Sequence, residues 1–254
     1  MIALVGICRY GKMAVSYFLE SAMTSPDRLQ QLETQLRDPA LNKRIESLNQ
    51  LAQVESALAI PILQRLTAEK DVGLRRIAVM GLGNHRTAQS FEVLQDLLDN
   101  EADSNIQAEA ANSIFEFGND AIPLLENLFT RSDSWLVKQT IVSLMIESGN
   151  PAALHRIITH ALQDSIQTVK EAGILGFIRL WGTEFQADAL AQITQLTQDP
   201  YWRNRWRATT ALQTCTDPQA KALLLKMQED EHFRVVAAAL EVLNSGTVPP
   251  QDML

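Results

Sequence analysis

Cysteine is nearly absent from this chain: Cys8 and Cys215 are the only two in 254 residues. Two are too few for the disulfide framework of a small secreted fold, and no Cys-x-x-Cys spacing exists for zinc or dithiol chemistry. Aromatics make up 6% of the residues, with 11 Gly and 9 Pro. So few β-formers and turn residues argue against a sandwich or barrel of many short strands. Long apolar runs are missing too, since no stretch approaches the roughly 18 residues that a membrane-spanning helix needs. Basic residues are outnumbered 22 to 30, giving a net charge of −8. That balance works against holding a phosphate backbone through the field of the whole molecule, so nucleic acid is not an expected partner. The expected location is cytoplasmic.

What the chain does have is a repeated phrase. Asp38, Asp71, Asp103, Asp133, Asp164, Asp199 and Asp230 follow one another at intervals of 33, 32, 30, 31, 35 and 31 residues. A period near 31 belongs to repeat architectures. After each Asp comes an amphipathic run, for example DVGLRRIAVMGLG from Asp71 and DEHFRVVAAALEVL from Asp230. Asp, or a Ser or Pro just after it, suits a helix start: the side-chain oxygen accepts an orphan backbone N–H, and Pro has none to satisfy. An apolar residue recurs three places after the Asp at Leu41, Leu74, Ile106, Leu136, Trp202 and Phe233, while the Asp164 copy fits only with a shift, through Val169.

Between these phrases lies a second amphipathic segment, such as AIPLLENLF or AKALLLKM, often entered after Gly-Asn, Asn-Pro or Asp-Pro punctuation. Each period therefore predicts two helices joined by short turns. One such pair cannot bury its apolar stripe alone, so neighbours must stack into a continuous core. The expected fold is all-α, an α-solenoid of about seven stacked helix pairs over residues 25–244 with no internal boundary. Residues 1–24 are expected to form an N-terminal capping segment, and residues 245–254, with Gly246, Pro249 and Pro250, a frayed tail. MTSPDRLQQLE is also a natural helix opening, so Met23 competes with Met1 as the native start. The repeat from Asp164 is the longest, at 35 residues, and predicts an extended helix reaching Phe177, Leu180 and Trp181 before Gly182.

The pattern AIPxLxxLL, then Asp, then VRxxAAxAL resembles the short HEAT-like repeat of phycobilin lyase subunits and related phycobilisome-associated proteins. The nearest copies are residues 121–129 followed by 133–144, and residues 220–227 followed by 230–240. The resemblance spans about residues 27–244. It implies a cyanobacterium-like cell and, as partner, a phycobiliprotein or a second HEAT-like subunit. It also implies an alternative activity, attaching or removing a bilin on a phycobiliprotein cysteine, with phycocyanobilin the ligand in that case alone.

Signatures of catalysis are weak, and no catalytic, metal or cofactor residue is assigned. Gly6, Gly11 and Lys12 come within one residue of a phosphate-binding loop, but Met13 replaces the Ser or Thr that would reach magnesium, and no βαβ series follows. His155 and His160 are five apart, about 140° around a helix, and cannot share one metal. No Cys-His companion or G-x-S-x-G elbow appears. Cys215 reads as a small buried residue.

The densest unusual cluster is DPYWRNRWRATTAL, where Trp202 and Trp206 form one stripe and Arg203 and Arg207 an adjacent one, with Arg205 between. Trp and Arg are enriched at binding hot spots. The same residues also fit a structural role: the two Trp as core, and the Arg paired with the loop Asp of a neighbouring repeat, since Arg203 matches Arg75 and Arg234 by position. In this repeat type the helix after the Asp lines the concave face, which places Arg75, Arg76, Glu109, Gln139, Lys170, Arg203, Arg205 and Arg207 as groove candidates. A non-catalytic scaffold holding a protein in that groove is the leading expectation, with Arg75, Arg76, Trp202, Arg203, Arg205, Trp206 and Arg207 as its binding residues.

Overall fold

The computed structural model describes residues 25–245, and among them every regular element is helical. The predicted N-terminal capping helix, the two candidate starts, the near phosphate-binding loop with Cys8, and the tail beyond Ser245 lie outside the described residues. Among the described residues fourteen α-helices make seven consecutive pairs. They fall into two compact units, one ending at Ala121 and one beginning at Ile122.

The first unit holds α1 (Pro26–Leu36), α2 (Leu41–Leu51), α3 (Ser56–Leu66), α4 (Val72–Asn84), α5 (Ala88–Asn100) and α6 (Ser104–Phe115), closed by a 3-10 turn over Gly118–Ala121. The second holds α7 (Ile122–Arg131), α8 (Trp135–Glu147), α9 (Pro151–Leu162), α10 (Gln167–Gly176), α11 (Gln186–Leu196), α12 (Trp202–Ala211), α13 (Pro218–Met227) and α14 (Phe233–Ser245). The even-numbered helices are those that follow the repeated Asp. They form a row in each unit, with α2, α4 and α6 in successive contact in the first and α8, α10, α12 and α14 in the second. The helix preceding each Asp packs beside this row. Leu32, Leu51, Leu63, Leu82, Leu94 and Ile106 fill the first core, and Phe129, Ile141, Ile158, Val169, Ile174 and Val235 the second. No described helix is long and apolar enough to cross a membrane.

The repeated Asp starts its helix in two ways. Asp71 and Asp103 are N-caps: Asp71 Oδ1 accepts the N–H of Leu74 at 3.1 Å, and Asp103 Oδ1 that of Asn105 at 2.8 Å. Asp38, Asp164, Asp199 and Asp230 sit further back and close a turn, each accepting the N–H two residues on, from Ala40, Ile166, Tyr201 and His232. This difference decides whether the recurring apolar residue three places after the Asp reaches the core. Where Asp is the cap, the third residue on is buried, as at Leu74 and Ile106. Where the helix starts later, the slot moves along: Leu41 is 65% and Phe233 72% exposed, Leu136 and Trp202 are half-buried, and Val137, Val169 and Val235 are the buried residues.

The helix after Asp164 is shorter than the sequence predicts. It ends at Gly176 and passes into a 3-10 turn over Phe177–Arg179 before Gly182 reverses the chain at φ 76°. Phe177 and Leu180 are nonetheless buried, and the Trp181 indole N–H donates to the Ala211 carbonyl at 2.8 Å. Cys215 is half-buried beyond the end of α12 and not in its core, and burial raises its thiol pKa above the usual value.

Candidate binding face of the second helices

Two sets of charged side chains run across the Asp-following helices. One is a ladder on the loop side. Arg44 lies six residues after Asp38, donates to the Asp38 carbonyl and reaches Asp71 of the next repeat, both at 2.5 Å. Arg205, six residues after Asp199, repeats the arrangement: it donates to the Asp199 carbonyl at 2.9 Å and to both carboxylate oxygens of Asp230 at 2.8 and 3.0 Å. Lys138 reaches Asp164 at 2.6 Å, and Arg75 pairs with Glu101. Each rung ties one repeat to the loop of the next.

This ladder accounts for two of the candidates. The side chain of Arg205 is 8% exposed and faces Asp230, with Glu231 as a further acceptor at 3.0 Å. The Asp230 hydrogen bond holds its guanidinium above the usual pKa. Burial pushes the Asp230 carboxyl up, but the Arg205 hydrogen bond, the His232 backbone N–H and the Arg205 charge together hold it below the usual range. Asp164 is balanced in the same way, with burial outweighed by the Lys138 hydrogen bond and the Ile166 N–H. The Asp ladder anticipated for Arg203 is thus built by Arg44, Lys138 and Arg205, each three residues past the first residue of its helix.

The second set lies on the outer face of the same helices. In the first unit Arg76 of α4 donates to Glu109 of α6 at 2.8 Å. Glu109 is buried, whereas the Arg76 side chain is 58% exposed. A cleft of about 480 Å³ lies beside them, lined by Met80, Asn84, Arg86, Glu109, Asn112 and Glu116. In the second unit Glu171 of α10 is buried and serves two guanidinium groups of α12, Arg203 at 2.9 Å and Arg207 at 3.5 Å. Its hydrogen bond raises the Arg203 pKa. Of the remaining groove candidates, Gln139 is half-buried on α8, and Lys170 sits at the loop side, its charge felt by Asp164.

Aromatic rings gather around Arg203 and Arg207. Trp206 packs on Met227, Val235 and Ala239, and the Arg207 guanidinium lies 4.2 Å from its ring centroid. Trp202 stacks on His232 with centroids 3.9 Å apart and planes 4° from parallel, and His232 stacks in turn on Phe233 at 5.1 Å. Arg234 covers both Trp202 and Phe233, at 5.5 and 5.9 Å. Sequence reasoning singled out Trp202, Trp206, Arg203 and Arg207 but not Glu171, His232, Phe233 or Arg234 as members of one cluster. A signal for part of it existed: Trp202 and Phe233 occupy the same place in successive repeats, and such residues are neighbours on adjacent stacked helices.

The HEAT-repeat family profile matches residues 26–114. Among solved structures, YibA of Escherichia coli aligns over 90% of this chain and 89% of its own, at 17% identity and a TM-score of 0.58. Kap121p aligns over 87% of this chain but 29% of its own, at 16% identity and a TM-score of 0.53. The chain therefore spans less than a third of Kap121p. Comparison with curated proteins gives no sequence match. Residues 26–114 thus carry HEAT repeats, and the chain as a whole has the fold of a HEAT-like α-solenoid.

Proposed function

We propose that this chain is a non-catalytic scaffold that holds a protein partner on the faces of its Asp-following helices. The observation that carries this reading is the cluster on α12 and α14. Large aromatic side chains and guanidinium groups stand together at the surface there, with Phe233 72% exposed although it starts a helix of the core row. Ordinary core packing does not require such a residue, and Trp, Tyr and Arg are the side chains that dominate binding energy at protein interfaces. Arg76, beside the cleft of the first unit, is a second place of contact. Kap121p, similar in fold only, has been solved bound to Nup53p.

The repeat's resemblance to phycobilisome-associated proteins makes phycobiliproteins, and the machinery that assembles or turns them over, the first partner class to test, in a cytoplasmic setting. A second reading is a phycobilin lyase subunit. It draws on the paired guanidinium groups of Arg203 and Arg207, suited to a bilin's two carboxylates, and on the flat rings beside them.

Capture on the immobilised full chain from the native lysate, followed by mass spectrometry, tests the first reading. A recurrent partner is expected with the wild type and is expected to be lost with W202A/F233A. A partner set unchanged by that double substitution would sink the proposed face. Absorbance after mixing with phycocyanobilin and an apo-phycobiliprotein tests the second, and no spectral shift and no transfer would eliminate it.

A further inference from the structure

The chemistry of the α10, α12 and α14 face says what kind of partner it suits. Three guanidinium groups, Arg203, Arg207 and Arg234, stand on it. A single carboxylate, Glu171, is shared between the first two. Among the described residues the Arg234 guanidinium has no carboxylate within ion-pair distance; it lies over the rings of Trp202 and Phe233. Glu231 is turned to Arg205 on the loop side, and Glu241 lies two helical turns further along α14. The face therefore carries about two uncompensated positive charges on a chain whose net charge is −8.

Two of these groups lie over aromatic rings. Arg207 lies over Trp206, and Arg234 over Trp202 and Phe233. A guanidinium attracted to a ring keeps N–H groups for hydrogen bonding, and the ring contact limits the conformational entropy lost when an acceptor arrives. Carboxylates match the geometry of those groups with two parallel bonds. The apolar half of the surface is equally specific. Phe233 is 72% and Tyr201 39% exposed, and both join the ring system of Trp202. An open surface of this kind suits the side chain of a protein segment better than an enclosed small molecule. A nucleic acid, with a phosphate charge about every 1.7 Å, would need a longer basic track than three arginines supply.

We propose that this face binds an acidic segment of a partner protein that carries an aromatic or aliphatic anchor. Its carboxylates meet the exposed edges of Arg203, Arg207 and Arg234, and its anchor packs on Phe233 and Trp202. The proposal rests on the scaffold reading and specifies the partner for the same face.

Calorimetric titration of the full chain with three synthetic 12-residue peptides tests it. One alternates Glu with Leu and Phe; the others replace every Glu by Gln or by Lys. The Glu peptide is expected to bind, the Gln peptide about tenfold or more weaker, and the Lys peptide not at all, with the Glu affinity falling as salt rises. R234E and F233A are each expected to weaken the Glu peptide about tenfold while leaving the unfolding midpoint unchanged, since neither residue belongs to the ladder or the core. K221E, on the exposed side of α13, is the control and should change nothing. Equal binding of the Gln peptide, or affinity indifferent to salt, overturns the acidic chemistry while leaving a scaffold intact. No binding of the Glu peptide at about 1 mM, an affinity near −4 kcal/mol, overturns it too, and the capture experiment then judges the scaffold separately. Tighter binding of a single-stranded RNA 12-mer in the same titration overturns it in favour of nucleic acid.

Discussion

At the scale of single residues, the strongest constraints are buried charges. The side chains of Arg205 and Asp230 are 8% and 6% exposed and bond through two parallel contacts. Removing one partner strands the other in a poorly solvated place, which costs about 3 kcal/mol or more, whereas replacing both by apolar groups restores much of the loss. D230A is therefore expected to lower urea-unfolding stability by about 3 kcal/mol, and R205M/D230L by clearly less.

Acid should act in two stages. His85 is buried against Ser56, its Nδ1 3.1 Å from the hydroxyl, and burial lowers its pKa. The folded ring takes a proton less readily than the unfolded one, so its stabilising share is complete above the unfolded value of about 6.5 and is lost as pH falls below it. Asp164 and Asp230, also held low, keep their share above the unfolded carboxylate value of about 4 and lose it only below that. The urea midpoint followed from pH 8 to 3 should show both declines, and H85Q should abolish the first alone. The ladder was foreseen from sequence as a pairing of Arg with the next repeat's Asp. Which Arg carries it was not, because the offset that decides is counted from the first residue of the helix and not from the Asp: Arg44, Arg75, Lys138 and Arg205 each stand three residues past that start, whereas Arg203, Arg76 and Arg207 stand one, four and five past it and lie along the face.

At the scale of helices, the period of 31 residues and the punctuation between segments were enough to place seven pairs, because each helix is marked by its own stop and start. Helix ends were less legible. The apolar run after Asp164 reads as one long helix, and only the tertiary contacts of Phe177 and Leu180 show that a 3-10 turn buries them. Close helix approach was equally hidden. Gly173 of α10 faces α9 so tightly that an added Cβ would lie 2.7 Å from Ala161 Cβ, and at Gly83 of α4 it would meet Ser113 backbone and Cβ at 3.1 and 3.0 Å. Alanine favours a helix over glycine by about 1 kcal/mol, but overpacking at a rigid contact costs about 1–3 kcal/mol. G173A is expected to destabilise by about 1–2 kcal/mol in urea, and A161G/G173A to recover part of the loss by reopening the contact.

At the scale of the whole chain, two cores rather than one organise the described residues, each a row of Asp-following helices backed by their partners. In such arrays stability is a sum of each repeat's own contribution and its contacts with its neighbours, so damage spreads by adjacency and fades with distance along the row. The Arg205 to Asp230 rung joins the last two repeats of the second unit, and its loss should loosen α12, α13 and α14 before anything else. Hydrogen exchange of D230A followed by mass spectrometry is therefore expected to show faster exchange in peptides from residues 202–245, a smaller change in α8 to α10, and no change in α1 to α6 under conditions where the protein stays folded. Equal acceleration in α1 to α6 would mean that the chain opens as one cooperative body, and the nearest-neighbour account of its stability would be wrong. The exchange pattern bears on binding as well: Trp202, Phe233 and Arg234 stand on α12 and α14, two of those three helices, so a partner seated there should slow exchange in the segment that D230A speeds up, and leave α1 to α6 as they were.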